Sequence, residues 1–234
     1  KIAMHLEKAG LSTRNVGSKE MGDTKLLIND GSTMVKIEVN TVFRGTVHPI
    51  ETRQLVRTAA KQFMAELFVP VLSEAELYGG KIVAALDRQH PRDLFDIHSL
   101  FEAEGLTDSM VECFVVYLAG HDRTPYEVLD ARDKDIVEIY EQQFAGMAAV
   151  PAPLEQLIAA RTRLRCELRE RLTCDQKSFI LSLVRTEPDW SLLKCPHASE
   201  LPSIQWKLIN LRKFQNRQPE AFAKQISRTE RALE

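Results

Sequence analysis

Alternating hydrophobic and polar positions predict a β-hairpin near the beginning of the chain. The segments 24–29 and 33–40 both have the two-residue period of strands. Asp30 and Gly31 lie between them and favour a tight turn, because both residue types tolerate positive φ. In the second strand, hydrophobic and polar residues alternate so that Glu38 lies on the polar face.

The flanking segments give weaker signals. Residues 2–9 are predicted to form a helix that Gly10 ends, and a third short strand is predicted near residues 44–48. The pattern over residues 52–64 is ambiguous, whereas residues 68–72 are predicted to be extended.

From Ser73 onward the hydrophobic period is that of helices. Ser73 is a good N-cap for a helix that runs to Arg88, and Pro91 suits the first position of the next helix, which ends at Gly105. Further helices are predicted over residues 107–119, 124–145, 153–171, 175–186, 200–215 and 219–232. Strands followed by a helical remainder predict an α+β protein.

Composition narrows the class of protein. The chain has 234 residues, of which 44% are hydrophobic and 27% charged, as in ordinary globular domains. No apolar run approaches the roughly 20 residues of a membrane span. We see no basic-then-apolar leader and therefore expect a cytoplasmic protein without a membrane partner. The four cysteines have no CxxC spacing, which argues against structural zinc.

Charge is distributed unevenly along the chain. Residues 1–150 contain 16 basic and 23 acidic residues, whereas residues 151–234 contain 15 basic and 10 acidic residues. This asymmetry suits metal binding in the first part and a polyanion in the second, but solvated charge pairs on helices explain it equally well. Nine of these basic positions stand out: Arg161, Arg163, Arg165, Arg169, Arg171, Lys207, Arg212, Lys213 and Arg217. Trp206 and Phe214, on one predicted helix, are more often core residues than base-stacking platforms.

Two cations in the helix 73–88 are candidates for phosphate binding. Lys81 and Arg88 are seven residues apart and therefore project from the same side. Gly79 and Gly80 precede Lys81 and each cost about 1 kcal/mol relative to alanine in a helix. That cost suggests a close approach to the backbone, such as a triphosphate beside the cations. The alternative is a solvated lysine and an arginine that offsets the helix dipole.

Carboxylates supply the other candidates. Asp93 and Asp96 are three residues apart and share one side of the next helix, where acidic residues also stabilise the first turn. A strand glutamate such as Glu38 is usually solvated, but becomes a good metal ligand if its face lines a cleft.

Taken together, three segments resemble one family. They are Val-Lys-Ile-Glu-Val at residues 35–39, Glu-Leu-Tyr-Gly-Gly-Lys-Ile-Val-Ala-Ala-Leu-Asp-Arg at residues 76–88, and Arg-Asp-Leu-Phe-Asp-Ile at residues 92–97. They resemble the AbiEii/AbiGii-type nucleotidyltransferase toxins, whose fold is similar to that of DNA polymerase β-like nucleotidyltransferases. The most specific part is the lysine helix followed, after a Pro-containing loop, by Arg-Asp-Leu-Phe-Asp.

The resemblance implies a role for each candidate residue. Glu38 resembles the third metal-binding carboxylate of the family, which would hold Mg²⁺. Lys81 resembles the nucleotide-contacting lysine, with a part in catalysis, and Asp93 resembles the later catalytic aspartate. Arg88 and Asp96 would support nucleotide binding.

The family's first catalytic motif is missing from this sequence. That motif is a Gly-Gly or Gly-Ser turn followed by an Asp-x-Asp or Asp-x-Glu strand, upstream of a helix and hairpin like residues 2–40. We therefore expect residues 1–105 to be the C-terminal part of a nucleotidyltransferase domain with a partial sheet. Residues 106–234 are expected to be a mostly helical domain. Because the chain starts at Lys1 without that motif, we expect this fragment to be inactive.

The implied function is that of a bacterial toxin from an abortive-infection or toxin–antitoxin system. It would transfer a nucleoside monophosphate from a nucleoside triphosphate to an RNA acceptor, foremost the 3′ end of tRNA, and a separate antitoxin protein would oppose it. The alternative is a non-catalytic module with a nucleotidyltransferase-like fold that binds nucleic acid or a protein partner.

Overall fold

The computed structural model describes residues 2–18, 22–38 and 45–234, and the chain falls into two compact units, residues 1–43 and 44–234. The first unit is a helix followed by an antiparallel sheet in the order β1-β2-β3. Its elements are α1 (Ile2–Lys8), β1 (Ser12–Ser18), β2 (Gly22–Asn29) and β3 (Met34–Glu38). The first strand of this sheet was not predicted from the sequence.

The turn between β2 and β3 confirms the predicted hairpin. The side-chain carboxylate of Asp30 accepts hydrogen bonds from the backbone amides of Ser32 (2.8 Å) and Thr33 (2.7 Å). Gly31 has φ +97°, in the left-handed region, and its amide donates to the Asn29 side chain. The sequence therefore supplies both the conformation and the hydrogen-bond acceptors that the reversal requires.

The second unit begins with a small antiparallel pair of strands. Its elements are β4 (Glu51–Gln54), α2 (Arg57–Phe63) and β5 (Phe68–Val71). The extended segment predicted at 68–72 is confirmed. The strand predicted near residues 44–48 is wrong for the described positions 45–48. The backbone amides of Val47 and His48 are bound by a carboxylate of the next helix instead of a neighbouring strand.

Nine α-helices follow in the described chain. They are α3 (Glu74–Arg88), α4 (Pro91–Ala103), α5 (Asp108–Ala119), α6 (Pro125–Leu129), α7 (Val137–Gln143), α8 (Leu154–Arg171), α9 (Cys174–Val184), α10 (Pro202–Arg217) and α11 (Pro219–Leu233). Most agree with the predicted helices, so the α+β class is confirmed. No helix among the described residues is long and apolar enough to cross a membrane.

The single helix predicted over residues 124–145 is wrong, because residues 130–136 form a loop between α6 and α7. Gln89 is fully buried and holds this loop in place. Its amide nitrogen donates to the Arg132 carbonyl at 2.8 Å, and its amide oxygen accepts from the Lys134 backbone at 3.0 Å. Arg161 adds hydrogen bonds to Gln89 (3.0 Å) and to the Lys134 carbonyl (2.9 Å). Tertiary hydrogen bonds thus override the helical pattern.

The glycine pair of α3 serves helix packing. A Cβ at Gly79 would lie 2.6 Å from Cys113 Cβ and 2.8 Å from the Cys113 carbonyl carbon. A Cβ at Gly80 would lie 3.2 Å from the ring of Tyr117. The group that approaches the α3 backbone is therefore α5, and the suggestion that a triphosphate does so is wrong.

One hydrophobic core joins the helices of the second unit. Buried side chains of α3, α4, α5, α8, α9 and α10 all contribute to it. The fully buried residues Ile82, Leu94, Phe114 and Phe179 come from four of these helices. The domain boundary expected between residues 105 and 106 stays a prediction.

Candidate functional site

The beginning of α3 is anchored by a buried carboxylate. The Ser73 hydroxyl caps the helix by accepting from the Glu76 amide, and it also hydrogen-bonds the His48 ring at 2.7 Å. Glu76 has no solvent exposure and accepts from the backbone amides of Val47 (2.8 Å) and His48 (3.0 Å) and from the Tyr117 hydroxyl (3.1 Å). The buried carboxylate is thereby satisfied, and it ties the beginning of α3 to residues 47–48 and to α5.

Two ion pairs connect α3 to α4. Lys81 Nζ donates to Asp96 Oδ2, and Arg88 Nη2 donates to Asp93 Oδ1 at 2.7 Å. The two cations are two helical turns apart on α3, and the two carboxylates lie one turn apart on α4. All four predicted site residues of this unit therefore lie on one side of the helical hairpin.

The connection between the helices positions these carboxylates. Gln89 adopts a left-handed conformation (φ +52°) directly after Arg88, and this ends α3. His90 then caps α4, because its ring nitrogen accepts from the Arg92 amide. Asp93 lies in the first turn of α4, where the helix dipole stabilises its negative charge.

Exposure differs between the members of the pairs. The Asp93 side chain is 15% exposed, whereas that of its partner Arg88 is 62% exposed. Lys81 and Asp96 are about one third exposed. Both cations are therefore at least partly accessible from solvent, whereas Asp93 is mostly buried.

The hydroxyl of Tyr78 also lies in this charged environment. Burial, followed by the negative charge of Glu74, raises the pKa of Tyr78, while Lys81 opposes the increase and Asp96 adds to it. Tyr78 therefore stays protonated at neutral pH and can donate a hydrogen bond beside Lys81.

Glu38 belongs to the first unit and ends the described part of β3. Its carboxylate contacts Lys25 Nζ at 3.0 Å and Lys36 Nζ at 3.2 Å. Hydrogen bonds from Lys25 and then from Lys36 lower the pKa of Glu38. The side chain is half exposed and ionised, and both lysines neutralise it. Its expected position beside Lys81 and Asp93 stays a prediction.

The described residues do not by themselves fit a complete divalent-metal centre. Nowhere in residues 2–18, 22–38 and 45–234 do three or more His, Cys, Asp or Glu side chains form a group that could hold a metal. The carboxylates of Asp93, Asp96 and Glu38 already form ion pairs with basic side chains. A metal would need further carboxylates besides these.

The arginines of α8 do not form the open basic surface that the sequence suggested. Arg161 is buried and bound to Gln89. Arg165 pairs with Asp133, and Arg169 lies 3.6 Å from Asp130. The acidic loop between α6 and α7 thus neutralises this face within the protein.

Three basic residues of α10 differ from those of α8. Arg212, Lys213 and Arg217 are exposed, and no ion-pair partner for them occurs in the part of the chain that the structure describes. These three cations therefore remain available to an external polyanion.

Comparison with known proteins gives one match. A family model described as nucleotidyl transferase AbiEii toxin, type IV toxin–antitoxin system, matches residues 5–209. The matched region includes Glu38 and both ion pairs between α3 and α4. No individual curated protein and no solved structure matches the chain significantly. Since the family model spans most of the sequence, the chain belongs to the AbiEii family of nucleotidyltransferase toxins of type IV toxin–antitoxin systems.

Proposed function

We propose that the reaction of this protein is transfer of a nucleoside monophosphate from a nucleoside triphosphate to RNA, with the 3′ end of tRNA as the acceptor, and that the 234-residue chain supplies the nucleotide-binding part of the site. Family membership supports the reaction class. The observation that carries the assignment to residues is the pair of cations, Lys81 and Arg88, held on one side of α3 by two carboxylates of α4.

The ion pairs suit a site that exchanges partners when the nucleotide binds. Triphosphate oxygens compete with Asp96 for Lys81 and with Asp93 for Arg88, and they gain charge-assisted hydrogen bonds from both cations. Asp93, released from Arg88, then orients the nucleotide or accepts the proton of the acceptor hydroxyl. That hydroxyl attacks the α-phosphate in line, and pyrophosphate leaves.

Divalent metal is typical of nucleotidyltransferases, and we propose Mg²⁺. When bound, it offsets charge on the phosphates and lowers the pKa of the attacking hydroxyl. Among the residues present, Glu38 is the proposed ligand. One carboxylate does not hold two hard cations against water. Since the sequence contains no Asp-x-Asp strand after a Gly-Gly or Gly-Ser turn, we expect the 234-residue chain to bind nucleotide without transferring it.

A protein antitoxin is the proposed partner, because the family acts in two-component systems. A cytoplasmic location fits a tRNA acceptor and stays a prediction.

Labelling of RNA tests the function. The 234-residue chain, and a form in which the Asp-x-Asp motif precedes Lys1, are incubated with each radiolabelled nucleoside triphosphate, Mg²⁺ and total tRNA. Gel separation should show labelled tRNA with one nucleotide for the longer form and none for the shorter. Labelling by the shorter form would show that the metal ligands lie elsewhere. Absence of labelling by both, with RNA still bound, would favour the non-catalytic alternative.

Variants of the longer form test the site. Lys81→Ala and Asp93→Ala should each remove most of the activity without changing the circular dichroism spectrum. Arg92→Ala is the matched control, because Arg92 is exposed on the same turn of α4 and has no ion-pair partner among the described residues. If Lys81→Ala is as active as the Arg92→Ala control and the unsubstituted protein, α3 has a structural role only.

A further inference from the structure

The tryptophan of α10 is on the surface. Trp206 is 64% exposed, and Ile209, one turn further along the helix, is 45% exposed. By contrast, Phe214 is half-buried and packs edge-on against Phe222, with ring centroids 6.0 Å apart. The expectation that Trp206 belongs to the core is therefore wrong, and folding leaves its large ring available.

Trp206 borders a cavity of about 300 Å³ between α10, α11 and residues 120–124. Apolar contact is offered by Trp206, Leu211 and Phe214, and polar groups by Asn210 and Gln225. This volume is at the lower end of the range for small-molecule sites and is sufficient for one nucleobase with its sugar. The combination of aromatic rings and amides is that of a site for a flat, polar ring.

One wall of the cavity is held by a buried lysine. Lys207 Nζ donates to the carbonyl oxygens of Asp122 (2.9 Å) and Arg123 (2.7 Å), so the loop after α5 is fixed against α10. Lys207 itself is 6% exposed. These hydrogen bonds therefore fix one wall of the cavity.

The opposite wall contains an unsatisfied donor. Gln225 is 7% exposed, and its side-chain Nε2 has no hydrogen-bond partner among the described residues. A buried donor without a partner destabilises the folded state unless a ligand supplies an acceptor. Carbonyl oxygens and ring nitrogens on the edge of a nucleobase are such acceptors.

Three exposed cations of α10 lie outside the cavity lining, further along the helix than Trp206. Arg212, Lys213 and Arg217 follow Trp206 along the helix and reach solvent. A stacking ring beside a row of cations is the combination by which proteins hold single-stranded nucleic acid, because the ring takes a base and the cations take phosphates.

We propose that this cavity binds one unpaired base of the RNA acceptor, stacked on Trp206. Gln225 hydrogen-bonds the edge of the base, and the cations of α10 contact neighbouring phosphates. The proposal rests on the proposed function for the statement that the bound strand is the acceptor. It does not require the transfer reaction itself.

Intrinsic fluorescence tests the stacking directly. The chain has two tryptophans, and Trp190 packs against Phe179 with ring centroids 5.8 Å apart. In the Trp190→Phe variant, Trp206 is the remaining tryptophan, and its emission is separated from that of the four tyrosines by selective excitation of tryptophan. Titration with single-stranded RNA of about 10 nucleotides should quench its emission to saturation. In Trp206→Phe, where Trp190 is the reporter, the same RNA should leave the emission unchanged. Absence of quenching in Trp190→Phe would overturn the proposal.

Affinities measured by anisotropy of fluorescein-labelled RNA give a second test. Trp206→Ala should weaken binding roughly five- to hundredfold, which is the range for loss of one stacked base, and Trp206→Phe should weaken it less. Met147→Ala is the matched control, since Met147 is also 64% exposed and lies outside the cavity. Equal affinities for Trp206→Ala and Met147→Ala would contradict the proposal.

Measuring RNA binding and nucleotide transfer with the longer form tests the RNA-binding cavity and the transfer reaction independently. RNA binding that depends on Trp206 without any transfer would refute the proposed function and support the cavity as an RNA site. Transfer with an unchanged KM for RNA in Trp206→Ala would support the function and refute the cavity as the site of the acceptor.

Discussion

Arg88 and Asp93 form a 2.7 Å ion pair between the last turn of α3 and the first turn of α4. Five residues separate them in sequence, and the left-handed residue Gln89 and the cap His90 create the reversal that brings them together. Lys81 and Asp96 form a second ion pair between the same two helices, further from the turn that joins them. The hairpin thus carries two cations on one side, each paired with a carboxylate of α4.

Replacing Glu76 should destabilise the second unit more than any exposed change on α3. In Glu76→Ala, two backbone amides and the Tyr117 hydroxyl lose their acceptor, and the expected loss in free energy of unfolding is about 3 kcal/mol. Glu76→Gln keeps one acceptor oxygen and should lose less. Urea denaturation measures the free energy of unfolding of both variants. The control is Glu74→Ala, at an exposed position, which should lower the free energy of unfolding by at most about 1 kcal/mol. Equal losses for Glu76→Ala and Glu74→Ala would contradict the anchoring role.

Gly79→Ala should destabilise the contact between α3 and α5. The new methyl group would lie within 3 Å of Cys113 backbone and side-chain atoms, so the helices must separate. We expect the free energy of unfolding to fall by about 2 kcal/mol, although alanine has the higher helix propensity. Gly80→Ala should be milder, because its neighbour is the Tyr117 ring, which can move. Thermal unfolding of the two variants compares them, and a higher stability of Gly79→Ala than of Gly80→Ala would refute the packing argument.

Because Lys207 is buried, the free energy of unfolding should rise with pH in the alkaline range. Burial lowers the pKa of Lys207 to about 8, against an opposing effect of Asp122 and Glu127, whereas the ordinary value is 10.5. The unfolded chain therefore holds this proton more tightly than the folded protein between pH 8 and 10.5, and raising the pH relieves the cost of burying the charge.

The comparison with Lys207→Met isolates this effect. The free energy of unfolding of the wild type minus that of the variant should increase by about 2 kcal/mol from pH 8 to pH 10. Urea denaturation at each pH provides the values. A difference that does not change with pH would mean that the ammonium group is not desolvated.

The four cysteines should divide into two reactive and two protected thiols. Cys166 and Cys174 are exposed, whereas Cys113 and Cys195 are buried. Burial, with the nearby charges of Glu76 and Glu112, raises the pKa of Cys113 to about 12, and burial also raises the pKa of Cys195. An aromatic disulfide reagent at pH 8 should therefore release two equivalents rapidly and two on unfolding. Rapid release of four equivalents would show that the reagent reaches Cys113 and Cys195 in the folded protein.

Local patterns predicted most helices and the β2–β3 hairpin because their signals lie within the elements themselves. Ser73 caps α3, Pro91 begins α4, and Asp30-Gly31 makes the turn. The loop at residues 130–136 was missed because Gln89, more than forty positions away in sequence, supplies its hydrogen bonds. A residue that is buried and polar in the fold leaves no periodic trace in the sequence.

The candidate site was predictable as a set of residues, but not as pairs. Seven-residue spacing placed Lys81 and Arg88 together, and three-residue spacing placed Asp93 and Asp96 together. The pairing of each cation with a carboxylate depends on how α4 folds back on α3, which spacing does not determine. Trp206 was assigned to the core because hydrophobicity does not distinguish a surface ring from a buried one.

Nucleotide binding by the 234-residue chain tests the central claim most directly, because it requires neither the acceptor nor transfer. Isothermal titration with each nucleoside triphosphate should show saturable binding, and Lys81→Ala and Arg88→Ala should each weaken it by about tenfold or more, as expected for loss of a charge-assisted hydrogen bond. Arg92→Ala should bind like the wild type. Unchanged affinity in both Lys81→Ala and Arg88→Ala would contradict the assignment of the α3–α4 hairpin as the nucleotide site.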